Sequence, residues 1–277
     1  MTDLLDLPSG RTGYRTDGPL GTPAVVFIPG ATLPMFVWEG LAESLARNGM
    51  RTIRYDLLGR GDSAAPKVRY DAELFDRQLT ELLDALGDGQ PVHLVSLAFG
   101  GLIAAGFTQR HPDRVRSLTY VAPDGFGVRL SPTVRLMMRP VLGEILLKLS
   151  GTRTLLARLT DYSDRAELVE QVRERFRPYA SAPGFQRAVL SSIRNMPIHD
   201  AAALYRHSRT VPTLVLWGRD DHVTPLPRPE ALAAAMPDAR VHLFEDTGHL
   251  PQTEHRRETT ELLQSFWEGE VDRTARH

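Results

Sequence analysis

The stretch Val92-His93-Leu94-Val95-Ser96-Leu97-Ala98-Phe99-Gly100-Gly101-Leu102-Ile103-Ala104-Ala105 decides how this chain folds. Its first part is an apolar run typical of a buried strand, and its last part is an apolar run suited to a helix. Small residues separate the two parts, so the sequence predicts a strand that turns sharply into a helix. Ala98 stands at the apex of the predicted turn.

The composition of the whole chain is that of an ordinary globular enzyme. With 277 residues, 42% of them hydrophobic, the chain can bury a large core as one α/β domain and still carry an inserted subdomain. It has no cysteine, which excludes a disulfide framework. The first residues are acidic where a signal peptide is basic, and no apolar run has the length of a membrane span. We therefore expect a cytoplasmic protein, and the net charge of −1 argues against nucleic acid as a partner.

Short β-branched runs alternate with helical patterns along the chain, which predicts a mostly parallel twisted sheet flanked by helices. A further, polar pair of strands is predicted between Gly10 and Gly18. The apolar candidate strands are Ala24–Ile28, Arg51–Tyr55, Val92–Ser96, Ser117–Val121, Thr213–Trp217 and Val241–Phe244.

The alternation is interrupted once, between Pro123 and Val211, where no strand-like run occurs. Three helical patterns follow one another there, at Thr133–Leu149, Ala166–Tyr179 and Gly184–Met196. A helical insertion between two strands of a parallel sheet is expected to cover the carboxyl ends of the strands, where such sheets bind ligands. We predict a core domain of residues 1–125 and 211–277 and a helical cap of residues 126–210.

Four further motifs each follow a candidate strand, as the turn at Ala98 does. They are Ile28-Pro29-Gly30-Ala31, the run from Tyr55 to Ser63, the run from Gly218 to Pro225, and Asp246-Thr247-Gly248-His249. Together with the strand-turn-helix stretch, they make the sequence resemble the α/β-hydrolase superfamily over nearly its whole length. The resemblance implies an α/β-hydrolase fold and a Ser-His-Asp triad for acyl transfer to water. The tripeptide Arg60-Gly61-Asp62, inside the second motif, is interpreted as part of a turn.

The sequence departs from the family's Gly-X-Ser-X-Gly pattern, because it reads Ser96-Leu97-Ala98-Phe99-Gly100. Serine is a tolerable small residue in place of the first glycine. Ala98 occupies the nucleophile position, and alanine has no lone pair with which to attack a carbonyl carbon. We therefore expect the chain as it stands to be an inactive variant of a serine hydrolase, through a serine-to-alanine change at this position.

The resemblance assigns the other catalytic roles to residues at the ends of later strands. His249 is the candidate general base, since imidazole can take and return a proton near neutral pH. Asp221 is the favoured acid that would orient it, and Asp220 is a weaker rival whose ordinary role would be in the turn. Asp124 is the alternative acid, because it follows the strand Ser117–Val121, from which some family members supply this group.

The family's oxyanion hole is built from two backbone amides, which by position belong to Ala31 and Phe99. Because these donors are main-chain groups, the loss of a serine side chain leaves them in place. The other histidines, among them His93, His222 and His242, lack a comparable motif and are interpreted as structural or exposed. No motif indicates a metal or a cofactor, and we expect neither.

The insertion is basic and apolar, with 13 arginines and one lysine against seven acidic residues between 125 and 210. We expect a small hydrophobic ester, lactone or lipid-like molecule as the substrate, and no contact with a membrane. The ordinary explanation of its apolar face is packing against the core domain. The face comprises Val134, Leu136, Met137, Met138, Val141, Leu142, Ile145, Leu146 and Leu149.

The main functional hypothesis is a serine hydrolase of a hydrophobic carboxylic ester or lactone, inactivated at Ala98. Three alternatives remain at this point. They are a carbon–carbon bond hydrolase, which also uses a serine, a natural non-hydrolytic enzyme that uses His249 and Asp221 as a general-base dyad, and a catalytically silent ligand-binding protein.

Overall fold

The computed structural model describes residues 2–86, 89–127, 136, 139, 142–208 and 211–274, without the side chains of 142, 144–150 and 270–274. Its centre is an eight-stranded sheet in the order β1-β2-β4-β3-β5-β6-β7-β8. Strands β3 to β8 pair in parallel, while β1 and β2 add an antiparallel edge. The predicted α/β fold with a mostly parallel sheet is confirmed. The strands are β1 Asp3–Leu5, β2 Thr12–Asp17, β3 Ala24–Ile28, β4 Arg51–Tyr55, β5 Val92–Leu97, β6 Val115–Val121, β7 Thr213–Gly218 and β8 Arg240–Phe244.

The position of the N-terminal strand pair was predicted wrongly. Only β2 lies between Gly10 and Gly18, and its partner β1 lies upstream of this range, at Asp3–Leu5. The three residues of β1 are exposed or only half-buried. A strand this short and exposed carries no alternation of apolar and polar residues by which it could be recognised.

Helices cover both faces of the sheet, which explains why the central strands are apolar throughout rather than alternating. Along β3, Val25 and Phe27 belong to one buried cluster, while Val26 and Ile28 belong to the other. The helices of the core are α1 Glu39–Arg47, α2 Ala72–Ala85, α3 Phe99–Arg110, α8 Pro229–Ala235, α9 Pro251–Glu254 and α10 Arg256–Thr274. Residues of α1 and α10 pack in the first cluster, and residues of α2 and α3 pack in the second.

Between β6 and β7 the described residues form helices and a single isolated bridge, between Phe126 and Asp200. The helices are α4 Leu142–Ala157, α5 Ala166–Ala180, α6 Phe185–Asn195 and α7 Ala202–His207, with a short 3₁₀ helix at Arg158–Asp161. Two of the predicted helices agree with α5 and α6 to within a residue at each end. We refer to residues 126–210 as the insertion.

The third predicted helix, Thr133–Leu149, ends later than predicted, because α4 runs eight residues beyond Leu149 to Ala157. Much of its predicted first part lies outside the described residues. The same holds for most side chains of the apolar face proposed from the sequence, and Leu136, which is described, is 41% exposed. Within the ranges given above, no helix is both long and apolar enough to cross a bilayer.

Candidate active site

The turn between β5 and α3 holds Ala98 in a conformation that L-residues rarely adopt, with φ 46° and ψ −112°. The amide of Ala98 donates to the carbonyl of Val121 at 2.9 Å. At Gly100 a Cβ would lie 2.6 Å from the carbonyl oxygens of Ile28 and Pro29, so only glycine allows α3 to start this close to β3. The chain therefore has a strained turn between strand and helix, with the methyl group of Ala98 at its apex, and its role in presenting a nucleophile stays a prediction.

Asp221, in the loop after β7, is buried and fully hydrogen-bonded. Its Oδ1 accepts from the amides of Val223 and Thr224, both at 2.8 Å. Its Oδ2 accepts from the Thr224 hydroxyl at 2.8 Å and lies 2.8 Å from Nδ1 of His249. Burial alone would raise the pKa of Asp221, but the charge and hydrogen bond of His249 and the hydrogen bonds from Thr224 together hold it below its ordinary value. This aspartate is thus a stable anion against the imidazole.

His249 is held on three sides. Nδ1 faces Asp221, the backbone amide donates to the carbonyl of Tyr162 at 2.8 Å, and the Tyr162 ring meets the imidazole edge-on with centroids 5.0 Å apart. The side chain is 2% exposed and lines a cavity that Ala98 also lines. Within the described part of the chain, Nε2 has no hydrogen-bond partner. An imidazole fixed at Nδ1 with Nε2 unbonded is arranged to exchange a proton with a molecule in the cavity.

The other two candidate acids lie in different settings. Asp220 is exposed, and its backbone amide donates to the carbonyl of Thr247 at 2.9 Å. Asp124 lines the cavity, and its backbone amide donates to the carbonyl of Ala98 at 3.3 Å. Its carboxylate accepts no hydrogen bond from any residue that the structure describes. Burial raises the pKa of Asp124 to about 6, against the opposing effect of the charge of His249. Of the three candidates, the structure brings Asp221 into a hydrogen bond with the histidine.

Ala31 and Phe99 line the same cavity as Ala98. Ala31 lies in the loop after β3, and Phe99 is the first residue of α3, where backbone amides have no partner within the helix. Among the described residues, neither amide donates a hydrogen bond. These are the properties expected of an oxyanion hole, and the assignment of the two amides to it stays a prediction.

The cavity has a volume of about 970 Å³ and is walled mainly by apolar side chains. The insertion contributes a large part of this wall, including about half of its polar residues. The apolar wall residues of the insertion include Leu155, Leu159, Val189, Leu190, Ile193 and Ile198. The titratable lining residues are Asp124, Arg158, Asp161, Tyr162, His199, His222 and His249.

Two residues of the site have no role in the sequence-based prediction. Thr224 bonds Asp221 through both its amide and its hydroxyl, and Tyr162 packs on the histidine. A hydroxyl residue three positions after an aspartate is a recognisable turn signal, which could have indicated Thr224. Tyr162 comes from the insertion, and nothing in its local sequence indicates its contact. His93 is buried, with Nδ1 2.7 Å from the Ser117 hydroxyl.

Comparison with known proteins places the chain in a class. The family model described as alpha/beta hydrolase fold matches residues 23–256, and the chain therefore belongs to this family. It is 30% identical over 265 residues to the 2-hydroxymuconate semialdehyde hydrolase of Pseudomonas putida. The alignment covers 92% of this chain and 91% of the relative.

Solved structures of the same fold carry several hydrolytic activities. An esterase from Thermogutta terrifontis matches with a TM-score of 0.81 at 23% identity, covering 98% of this chain and 99% of the esterase. The enol-lactonase from Burkholderia xenovorans matches with a TM-score of 0.79 at 22% identity, covering 96% and 100%. At these identities the structures establish the fold, while the Pseudomonas relative is similar in sequence as well.

Proposed function

We propose that this chain carries the active site of a hydrolase for a hydrophobic carboxylic ester or lactone, with alanine in place of the serine nucleophile. The observation that carries the proposal is the 2.8 Å contact between His249 Nδ1 and Asp221 Oδ2, beside a cavity whose wall includes Ala98. In such a site the residue at 98 attacks the carbonyl carbon, His249 takes its proton, and Asp221 orients the imidazole. The methyl group of Ala98 cannot perform the first step, so the chain as it stands binds the substrate without acylation.

The cavity supports the proposed substrate class. Its volume of about 970 Å³ would accept a molecule of moderate size, and its apolar wall favours a hydrophobic chain or ring. Since the insertion supplies much of this wall, residues 126–210 act in this proposal as a cap that sets substrate choice. Substrate binding does not require the missing hydroxyl, because the amides of Ala31 and Phe99 would receive the carbonyl oxygen.

A second candidate is the hydrolysis of a carbon–carbon bond beside a carbonyl group. The observation that favours it is the 30% identity to a 2-hydroxymuconate semialdehyde hydrolase over 92% of the chain. Such a reaction would use the same oxyanion donors and the same histidine. It differs from ester hydrolysis in the leaving group, which must be protonated on carbon rather than on oxygen.

The test is Ala98→Ser, with Ala98→Gly as a matched control that changes the same position without adding a hydroxyl. Both variants and the parent are assayed with aryl esters, lactones and vinylogous 1,5-diketones. We expect Ala98→Ser to exceed the parent and the control by at least about 10³-fold on one of these classes, since the triad works as a unit. The class that responds decides between the two candidates.

Two other outcomes would count against a serine hydrolase. Turnover by the parent that does not rise in Ala98→Ser would identify His249 and Asp221 as a general-base dyad that needs no nucleophile. Binding of these compounds without turnover by any of the three proteins would identify a silent ligand-binding protein.

A further inference from the structure

Arg60, in the loop after β4, is a buried cation next to the proposed oxyanion hole. Its side chain is only 1% exposed and does not line the cavity. Nε donates to the carbonyl of Ala31 at 2.9 Å, and one terminal nitrogen donates to the carbonyl of Leu58 at 3.0 Å. The other terminal nitrogen donates to the hydroxyl of Ser192, on α6 of the insertion, at 2.8 Å.

No carboxylate pairs with this guanidinium among the residues that the structure describes. The group lies instead over the rings of Tyr70, Phe75 and Phe99, at 5.6 to 5.9 Å from their centroids. Burial lowers the pKa of Arg60 to about 9, which leaves it charged at neutral pH. A buried charge without a counter-ion is costly, and a neutral side chain would fill the same space at a lower cost. The charge therefore calls for an explanation beyond packing.

The contacts of Arg60 supply one, because they include both residues whose amides are proposed to bind the substrate oxygen. The hydrogen bond to the Ala31 carbonyl fixes the backbone of that residue, and the guanidinium rests on the Phe99 ring at 5.9 Å. The bond to Ser192 ties the same group to α6, on which Val189 and Ile193 line the cavity. One side chain thus connects the two donors and the apolar wall.

We propose that Arg60 is a positioning residue that fixes the Ala31 and Phe99 amides and keeps a positive charge behind the point where the substrate oxygen binds. This inference rests on the proposed function. A positive charge at this place stabilises an oxygen that is, or becomes, negative, and it acts strongly because the guanidinium is buried. The site would accordingly stabilise an oxyanion or an enolate more than it stabilises a bound neutral carbonyl compound.

The experiment measures the charge directly, without a substrate. The chain has no cysteine, so Ala98→Cys introduces a single thiol at the apex of the turn, and its ionisation is followed by thiolate absorbance. We compare Ala98→Cys alone with Ala98→Cys combined with Arg60→Met, Arg60→Gln or Arg60→Lys. The titratable residues that line the cavity with position 98 are Asp124, Arg158, Asp161, Tyr162, His199, His222 and His249, and Asp221 contacts His249; all are the same in the four proteins.

Removal of the charge in Arg60→Met and Arg60→Gln should raise the pKa of the introduced thiol by about one unit. Arg60→Lys keeps the charge, so the thiol pKa should stay close to its value with Arg60. Arg60→Gln separates charge from hydrogen bonding, because its amide can still donate to Ala31 or Ser192. Equal thiol pKa values in folded Arg60 and neutral variants would overturn the proposal. So would failure of both neutral variants to fold, which would make Arg60 a folding residue.

A parallel measurement in the Ala98→Ser background tests the positioning. There we expect Arg60→Lys to lower kcat about tenfold with little change in KM, since the donors are needed mainly in the transition state. A rise in KM with unchanged kcat would contradict the proposed role. The thiol measurement holds even if Ala98→Ser hydrolyses nothing, so failure of the proposed function and failure of this inference are distinguishable.

Discussion

Asp221 and Asp124 follow neighbouring strands of the same sheet, but they differ in the hydrogen-bond donors around their carboxylates. Asp221 accepts hydrogen bonds from two amides and a hydroxyl and faces His249, and its pKa lies below the ordinary value. Asp124 faces the cavity with no hydrogen bond to its carboxylate in the described chain, and burial raises its pKa to about 6. Two carboxylates at one edge of a sheet can thus serve different purposes, because the loops around them differ.

The difference originates in the two loops. After β7 the backbone turns so that the amides of Val223 and Thr224 point back at Asp221. After β6 the loop instead fixes the backbone of Asp124, whose carbonyl accepts from the Tyr205 hydroxyl at 2.6 Å. Gly125 follows with φ 102°, where a side chain would collide with Ala201. The main chain of Asp124 is fixed by hydrogen bonds, while the residue lines the cavity.

The largest expected effect separates the two carboxylates by activity. In the Ala98→Ser background, Asp221→Asn should lower kcat by about 10⁴, because an asparagine stabilises the wrong imidazole tautomer. Asp124→Asn should lower it less than about tenfold, because no hydrogen bond joins this residue to His249. The check is steady-state kinetics on the substrate class that Ala98→Ser accepts. A larger loss in Asp124→Asn would transfer the role of triad acid to the strand before the insertion.

The sequence predicts where the site residues lie in the fold but not how readily each carboxylate is protonated. The motifs after the strands locate Ala98, Asp221 and His249, because the order of motifs and the parallel sheet bring strand ends to one edge. The protonation behaviour of Asp124 depends on which donors are absent from its surroundings, and no local pattern records an absence. The burial of Arg60 was missed for a related reason. Its contacts come from distant segments at Ala31 and Ser192, while its own tripeptide indicates only a turn.

Helix ends and short edge strands were the other failures. The helix α4 continues through Gly151 to Ala157, although glycine ordinarily weakens a helix, and at this position the residue packs against Gln186 of α6. Tertiary contact outweighs local propensity there. By contrast, α5 and α6 were located closely because their apolar residues recur at helical spacing.

The second prediction concerns stability and its dependence on pH. The pKa of Asp124 is about 6 in the folded chain against an ordinary value of 3.8, so the folded state holds the proton more tightly than the unfolded state. As the pH rises from the lower to the higher value, the unfolded state ionises first, and folding becomes progressively less favourable. Asp124→Asn should therefore raise the free energy of unfolding by about 2 kcal/mol at pH 8 and leave it nearly unchanged below the ordinary pKa.

Urea titrations of the parent and of Asp124→Asn at several pH values check this prediction. Asp220→Asn is the matched control, because Asp220 is exposed and its replacement should change little at any pH. A gain in stability that does not depend on pH would mean that the asparagine acts through packing, and the comparison between the two carboxylates would lose its electrostatic basis.

The smallest expected effect comes from removing one of the hydrogen-bond donors to Asp221, which brings its surroundings closer to those of Asp124. Thr224→Val keeps the shape of the side chain and the hydrogen bond from the backbone amide to Asp221. It removes the hydroxyl, which lies 2.8 Å from Asp221 Oδ2 and 3.2 Å from His249 Nδ1. Loss of this donor should move the pKa of Asp221 upward and lower kcat about tenfold in the Ala98→Ser background, with a loss of about 1 kcal/mol in stability. Thr224→Ser retains the hydroxyl and should keep most of the activity. Equal activity in Thr224→Val and Thr224→Ser would mean that the backbone amides and His249 are enough to hold Asp221 as an anion, and that the hydroxyl contributes nothing to the contrast with Asp124.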